Sequence, residues 1–211
     1  PTAAALYYVF QSGGKLNGNF AVYDLGGGTF DISIIQVVNQ DVTVLASEGV
    51  KKLGGDDFDA ALQEIVKKRY KDASGEDLDI QKGYTKTDAE EDKKALSKRE
   101  KVNVRVEKTN IELTRDEFEK EISSLLAQTE MLCENAIEEA GLKLKDIKDV
   151  LLVGGSTRVP CVTESVKKIF GTDGVRCIVN QEPMTAEICL KIAKTTGYFL
   201  SKNKKGKKRV I

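Results

Sequence analysis

The sequence predicts an α/β fold, and three observations carry that prediction. Residues 19–46 hold three apolar or alternating runs separated by tight turns, the pattern of an antiparallel meander. Beyond residue 55, segments with apolar residues at helical spacing alternate with further strand-like runs. Two of the glycine clusters, Gly26-Gly27-Gly28 and Gly154-Gly155, fall where strands end. In an open α/β sheet, that is where ligands bind.

Bulk composition narrows the function classes. At 211 residues the chain can bury a real core, concealing about 70% of the surface its unfolded form exposes. Lys+Arg and Asp+Glu balance at 33 each, so no overall field draws the molecule to nucleic acid or a membrane. The basic run over 202–209 is the local exception, expected to be a solvated, disordered end. Histidine is absent, which excludes Ser-His-Asp and Cys-His catalysis and any His-ligated metal. Cys133, Cys161, Cys177 and Cys189 form no C-x-x-C pair, and they are expected to be small buried hydrophobes in a reducing compartment. Neither a signal peptide nor an apolar run of about 18 residues is present. The expectation is a cytoplasmic protein, with an organelle lumen open because the chain starts at Pro1 inside a helix-like segment. That start also leads us to expect an excerpt of a longer protein.

Each element follows from local chemistry. Residues 1–10 suit a helix with Pro in its first turn, stopped by Ser12-Gly13-Gly14. Runs 19–24 and 29–38 read as strands joined by the glycine turn, and 42–46 as a third strand. Leu53-Gly54-Gly55-Asp56 breaks the meander and offers an N-cap carboxylate, after which Phe58, Leu62, Ile65 and Val66 recur at helical spacing. The polar stretch 71–101 holds one helix, 87–96, with Thr87-Asp88-Ala89-Glu90 as its capping box. Strands 102–106 and 110–113 follow. A second box, Thr114-Arg115-Asp116-Glu117, opens one long amphipathic helix that stops at Gly141. Run 147–153 is a buried strand that turns out through Gly154-Gly155-Ser156-Thr157-Arg158. Pro160 then starts a helix to residue 170, and a strand at 175–179 and a helix at 186–200 complete the chain.

The chemistry concentrates at the glycine turns. In Asp24-Leu25-Gly26-Gly27-Gly28-Thr29-Phe30-Asp31, three glycines leave backbone N–H groups unshielded, so the turn can form a nest for phosphate oxygens. Asp24 and Asp31 flank it and would repel phosphate unless a cation stood between them, which points to Mg²⁺ held largely through waters. Thr29 adds a hydroxyl. The bland alternative is a hairpin whose glycines supply only positive φ. In the second turn, Gly155 allows close approach, Ser156 offers a hydrogen bond, and Arg158 can stack on a base or pair with phosphate. Gly54 and Gly55 fit a helix-entry turn equally well. Glu90, Lys93, Lys94 and Ser97 share two turns of one helix, and their spacing alone describes an exposed, ion-paired face.

Four segments together resemble a known family. They are Pro1-Thr2-Ala3-Ala4-Ala5, residues 24–33, Leu53-Gly54-Gly55-Asp56-Asp57-Phe58-Asp59, and Leu152-Val153-Gly154-Gly155-Ser156-Thr157-Arg158-Val159-Pro160. The chain resembles the second half of the nucleotide-binding domain of DnaK-type, 70-kilodalton heat-shock chaperones, in the actin-like ATPase superfamily. The resemblance covers residues 1 to about 182 and implies a ribonuclease-H-like lobe over 14–53 and 123–200. A smaller adenosine-contacting subdomain, 54–122, would be inserted between, with 201–211 as tail. It implies ATP or ADP with Mg²⁺ as ligands, and Gly26, Gly27, Gly28 and Thr29 as a second phosphate loop. Asp24 would hold the hydrated Mg²⁺, with Thr29 and Asp31 placing the attacking water or the γ-phosphate. Glu90, Lys93, Lys94 and Ser97 fall on the adenosine helix, and Gly155, Ser156 and Arg158 on the opposite wall. Unfolded client proteins, a J-domain co-chaperone and a nucleotide-exchange factor are the implied partners.

Two departures stand out. The family carries Arg where Lys94 stands, and an ammonium cannot stack on adenine as a guanidinium does. After Asn180 the family's Pro-Asp-Glu-Ala-Val is replaced by Gln181-Glu182-Pro183-Met184-Thr185, leaving Glu182 to stand in for the family's Asp. The first phosphate loop and catalytic Lys belong to a lobe outside these residues, so the isolated chain is expected to turn over negligible ATP. A sugar kinase or phosphatase lobe is the rival within the superfamily, but it lacks the run 154–160. A non-catalytic module docking co-chaperones or exchange factors is the rival outside enzymes.

Overall fold

The computed structural model describes residues 17–39, 41–171 and 175–176. Strands β1 (Gly18–Leu25), β2 (Phe30–Val38) and β3 (Asp41–Val50) form the expected meander. β2 lies antiparallel to both neighbours, and the register sets Asp24 opposite Asp31. β3 extends beyond the expected 42–46 because its whole length finds partners on β2. Strand β6 (Ile147–Val153) joins β1 in parallel, and the short β7 (Val175–Arg176) joins β6. The sheet order is β3-β2-β1-β6-β7. It is buried on both faces: Ala21, Tyr23, Leu25, Ile32 and Ile34 enter one apolar cluster, and Phe20, Val22, Ile35, Val37 and Leu151 the other. Period-two alternation in a sheet covered on both sides explains why β1 and β2 read as continuous apolar runs.

Helix α1 (Gly55–Ser74) is capped by Gly54, not by Asp56. The Asp57 carboxylate instead accepts the Gly54 N–H at 2.8 Å, while Asp56 sits exposed in the first turn. The helix runs well past the expected apolar repeat because Tyr70 adds another buried contact before the left-handed Gly75 ends it. A short turn α2 (Ile80–Gly83) follows, capped by Asp79. Helix α3 (Lys86–Leu96) starts earlier than the sequence predicts, because the capping box is Thr85 with Asp88 rather than Thr87 with Glu90. Tyr84 fixes that entry: it is buried and donates its hydroxyl to Asp92 at 2.9 Å.

Strands β4 (Lys101–Val106) and β5 (Thr109–Thr114) form a separate two-stranded hairpin. Thr114 caps as expected, accepting from the Glu117 N–H at 3.3 Å. Glu117 does not close the box, since its carboxylate takes a bidentate bond from Arg69 at 2.8 and 3.1 Å. The single long helix predicted from Thr114 is two: α4 (Arg115–Glu121) and α5 (Ser123–Glu139), broken at Ile122 with φ −86° and ψ 1°. The two halves serve different targets. Phe118 meets Phe58 of α1 edge-on at 6.3 Å, whereas Leu126, Cys133 and Ala136 are buried in the layer packed on the sheet. Gly155–Arg158 is a 3₁₀ turn rather than a loop, and α6 (Pro160–Phe170) starts at Pro160 as expected.

One apolar cluster runs from the sheet through α5 and α6 to α1, α3 and the β4–β5 hairpin. The helix expected at 1–10, the strand beyond residue 176, the helix at 186–200, the tail at 201–211, and Cys177, Glu182 and Cys189 lie outside the described residues. Cys133 and Cys161 are free thiols. No helix among the described residues is long and apolar enough to cross a membrane.

Candidate nucleotide-binding cleft

Three turns interlock at the carboxyl end of β1. The Gly26 carbonyl accepts from the Gly55 N–H at 3.0 Å and from the Ser156 hydroxyl at 2.8 Å. The Gly27 carbonyl accepts from the Asp56 N–H at 2.6 Å. The glycine turn, the start of α1 and the 3₁₀ turn are thereby one rigid assembly, although their residues are 130 positions apart at the extremes. Glycine is required where they touch. A Cβ on Gly54 would come within 2.6 Å of the Gly27 carbonyl oxygen, and one on Gly154, at φ +92°, would land on the Leu25 carbonyl. The carbonyls of Gly26 and Gly27 thus face protein donors. Among the described residues, the exposed Gly27 and Gly28 amides find no protein acceptor, the arrangement a phosphate nest requires.

Asp24 and Asp31 are direct cross-strand partners. Burial, reinforced by the Asp31 charge, pushes the Asp24 carboxyl above the ordinary carboxylate range. A cation near the pair would relieve both effects. Among the described residues no group of three or more acidic or cysteine side chains is gathered to grip a metal directly. The neighbouring Tyr23 anchors this strand end, donating to Thr129 of α5 at 2.9 Å and packing its ring 4.7 Å from Phe30. Desolvation drives its phenol far above the usual range, so it stays neutral.

A cleft of about 490 Å³ opens beside this assembly, and Gly27, Gly55, Glu90, Lys93, Lys94, Ser97, Gly155, Ser156 and Arg158 all line it. The predicted phosphate, adenosine-helix and wall residues therefore converge on one space. Asp24, Gly26, Gly28, Thr29, Asp31 and Gly54 are not among its lining residues, and Asp24 and Asp31 lie in the strands that the glycine turn joins. A larger groove of about 740 Å³ lies between α1 and β5, but it holds none of the predicted residues and the exposed Arg69–Glu117 pair lines it.

The predicted residues on α3 divide in two. Glu90 and Lys94 form the exposed pair that their spacing predicts, at 2.7 Å, and the Lys94 ammonium holds the Glu90 carboxyl below its usual range. Lys93 departs from the expected exposed face. It is buried, ion-paired with Asp59 at 2.6 Å, and donates to the Gly55 carbonyl at 2.9 Å. Burial pushes the Asp59 carboxyl up, and the bond from Lys93 works against that shift. Ser97 returns its hydroxyl to the Lys93 carbonyl at 2.9 Å.

Sequence reasoning missed several site neighbours. Asp59 has no local signal of a role, and only the fold brings it to Lys93, 34 residues on. Lys86 and Asp56 pair at 2.8 Å on the cleft's rim, and Lys98 and Val159 line the cleft with them. None of these contacts has a local signature.

The comparisons with known proteins bear on the whole chain. The family model described as Hsp70 protein matches residues 1–192. The chaperone protein HscA of Enterobacter sp. (strain 638) is 42% identical over 172 residues, covering 81% of this chain and 27% of that protein. The mitochondrial heat shock 70 kDa protein of Solanum tuberosum is 41% identical over 184 residues, covering 81% of this chain and 26% of that protein. The chain thus spans about a quarter of the length of these relatives. With the family match running across nearly the whole sequence and relatives above 40% identical over most of it, this chain belongs to the Hsp70 family.

Proposed function

We propose that this chain is the phosphate- and adenosine-binding lobe of an ATP-dependent protein-folding chaperone. The observation that carries the reading is the interlock of three glycine-bearing turns through the Gly26 and Gly27 carbonyls beside one cleft. The amides of Gly27, Gly28 and Thr29 cradle the phosphates. Gly155 and Arg158 form one wall for base and ribose, and Glu90, Lys94 and Ser97 the other. Lys93, tied to Asp59 and Gly55, holds the two walls in register.

The residues at the strand ends fit Mg²⁺ bound through water, because Asp24 and Asp31 are cross-strand partners where the glycine turn joins β1 to β2. Such an ion neutralises phosphate charge. Asp24 would hold the ion through its waters, while Thr29 and Asp31 would place a nucleophilic water near the terminal phosphate. Full hydrolysis needs further positive charge around that phosphate, which on this reading comes from the partner lobe. In the intact parent protein the nucleotide state would act on bound clients, with a J-domain co-chaperone and an exchange factor as partners.

Calorimetric titration with Mg-ADP tests the reading. Wild type is expected to show weak saturable binding and negligible single-turnover hydrolysis. Gly155→Val provides the control, since an added Cβ there meets no atom within 4 Å. It should keep the thermal midpoint and lose the binding. No saturable heat from wild type overturns the reading in favour of a non-catalytic docking module. Clear turnover abolished by Asp24→Asn overturns the dependence on a second lobe.

A further inference from the structure

Asp56 puts a carboxylate where phosphate chemistry least wants one. Its two oxygens lie 3.9 Å from the Cβ positions of Gly27 and Gly28, over the exposed side of the glycine turn. The residue cannot drift off, because its own N–H is bonded to the Gly27 carbonyl at 2.6 Å. A polyphosphate seated on that turn would meet this negative charge in addition to Asp24 and Asp31. One cation answers it: Lys86, on the first turn of α3, contacts Asp56 at 2.8 Å. Both side chains are more than half exposed, at 58% and 56%, so the pair is weak and can exchange partners. The Asp56 carboxylate also raises the Lys86 ammonium above its usual range, keeping it charged.

Two of the cleft's other lysines are already engaged. Lys93 is buried and fixed by two partners, and Lys94 is paired with Glu90, while Lys98 lines the cleft two residues past the end of α3. A lysine is suited to exchange among oxygen partners, being a compact charge on a flexible stem.

We propose that Lys86 is a phosphate-responsive cation of this site, pairing with Asp56 and shifting its charge to the phosphates when they seat on the glycine turn. The Asp56–Lys86 pair then sets the preference for phosphorylated nucleotide over the bare nucleoside. The inference rests on the nucleotide reading above and adds two residues to it. A simple surface tie between α1 and α3 makes a different forecast. Breaking such a tie from either side would change stability alike and leave ligand preference untouched.

Titrating the 211-residue chain with Mg-ATP and with adenosine separates the two. Lys86→Gln is expected to weaken Mg-ATP about threefold to fivefold while leaving adenosine unchanged, the range of one exposed charge contact. Asp56→Asn should strengthen Mg-ATP by a similar factor, and Lys86→Arg should keep most of the preference. Opposite signs from the two halves of one ion pair are the signature. Changes of the same sign, or equal changes for Mg-ATP and adenosine, overturn the proposal alone. Absence of binding by wild type overturns the nucleotide reading and this inference together. Both side chains are exposed, so matched thermal midpoints will confirm that the variants fold.

Discussion

Because burial and the facing Asp31 raise the Asp24 carboxyl, the folded chain holds that proton to higher pH than the unfolded chain does. By linkage, stability from this group falls as pH rises from the unfolded value, about 3.9, through the folded one. Above that window the cost of an ionised, half-buried carboxylate is present in full. Asp24→Asn is therefore expected to raise the thermal midpoint at pH 7.5 by about 1–3 °C. The gain should fade below about pH 3, where Asp24 is protonated in the folded and the unfolded chain alike. Thermal denaturation at the two pH values checks this, and a gain that persists at low pH would sink the electrostatic account. Burial acts in the same direction on Cys161. Its thiol is pushed up to about 12, which keeps it a neutral packing group and not a nucleophile.

At the scale of elements, α1 and α3 are joined by a buried charge. Lys93 reaches from α3 to Asp59 and to the Gly55 carbonyl at the start of α1, so α3 is pinned to the start of α1 beside the glycine turn. Removing one member of such a pair strands the other. Lys93→Met is expected to destabilise by about 3 kcal/mol, and adding Asp59→Asn should recover much of that loss. Urea unfolding of the single and double variants measures both, and a mild single effect with no recovery would refute the coupling. Helical spacing alone could not show this, because Lys93 and Lys94 look alike in a charged run. What separates them is a helix 34 residues upstream, which buries one face of α3 and leaves the other to water. The break at Ile122 has the same origin, since two packing targets compete for one amphipathic pattern.

For the molecule as a whole, one apolar cluster crosses from the five-stranded sheet into residues 54–122. A shared core couples the regions, so urea is expected to unfold the described structure in a single transition seen alike by fluorescence and circular dichroism. Two resolved transitions would instead make 54–122 an independent inserted unit. The sequence by itself determined the meander, the Thr114 cap, the proline-led α6 and the glycine turns at strand ends. Period-two alternation, side-chain capping and glycine's lack of a Cβ all act within a few residues. It also carried enough identity to show the family. Only the tertiary structure decided that Thr85 rather than Thr87 caps α3, that Lys93 is buried, and that Asp56 and Lys86 meet beside the glycine turn. Those outcomes depend on how distant segments pack against one another. No local pattern encodes which segments will meet.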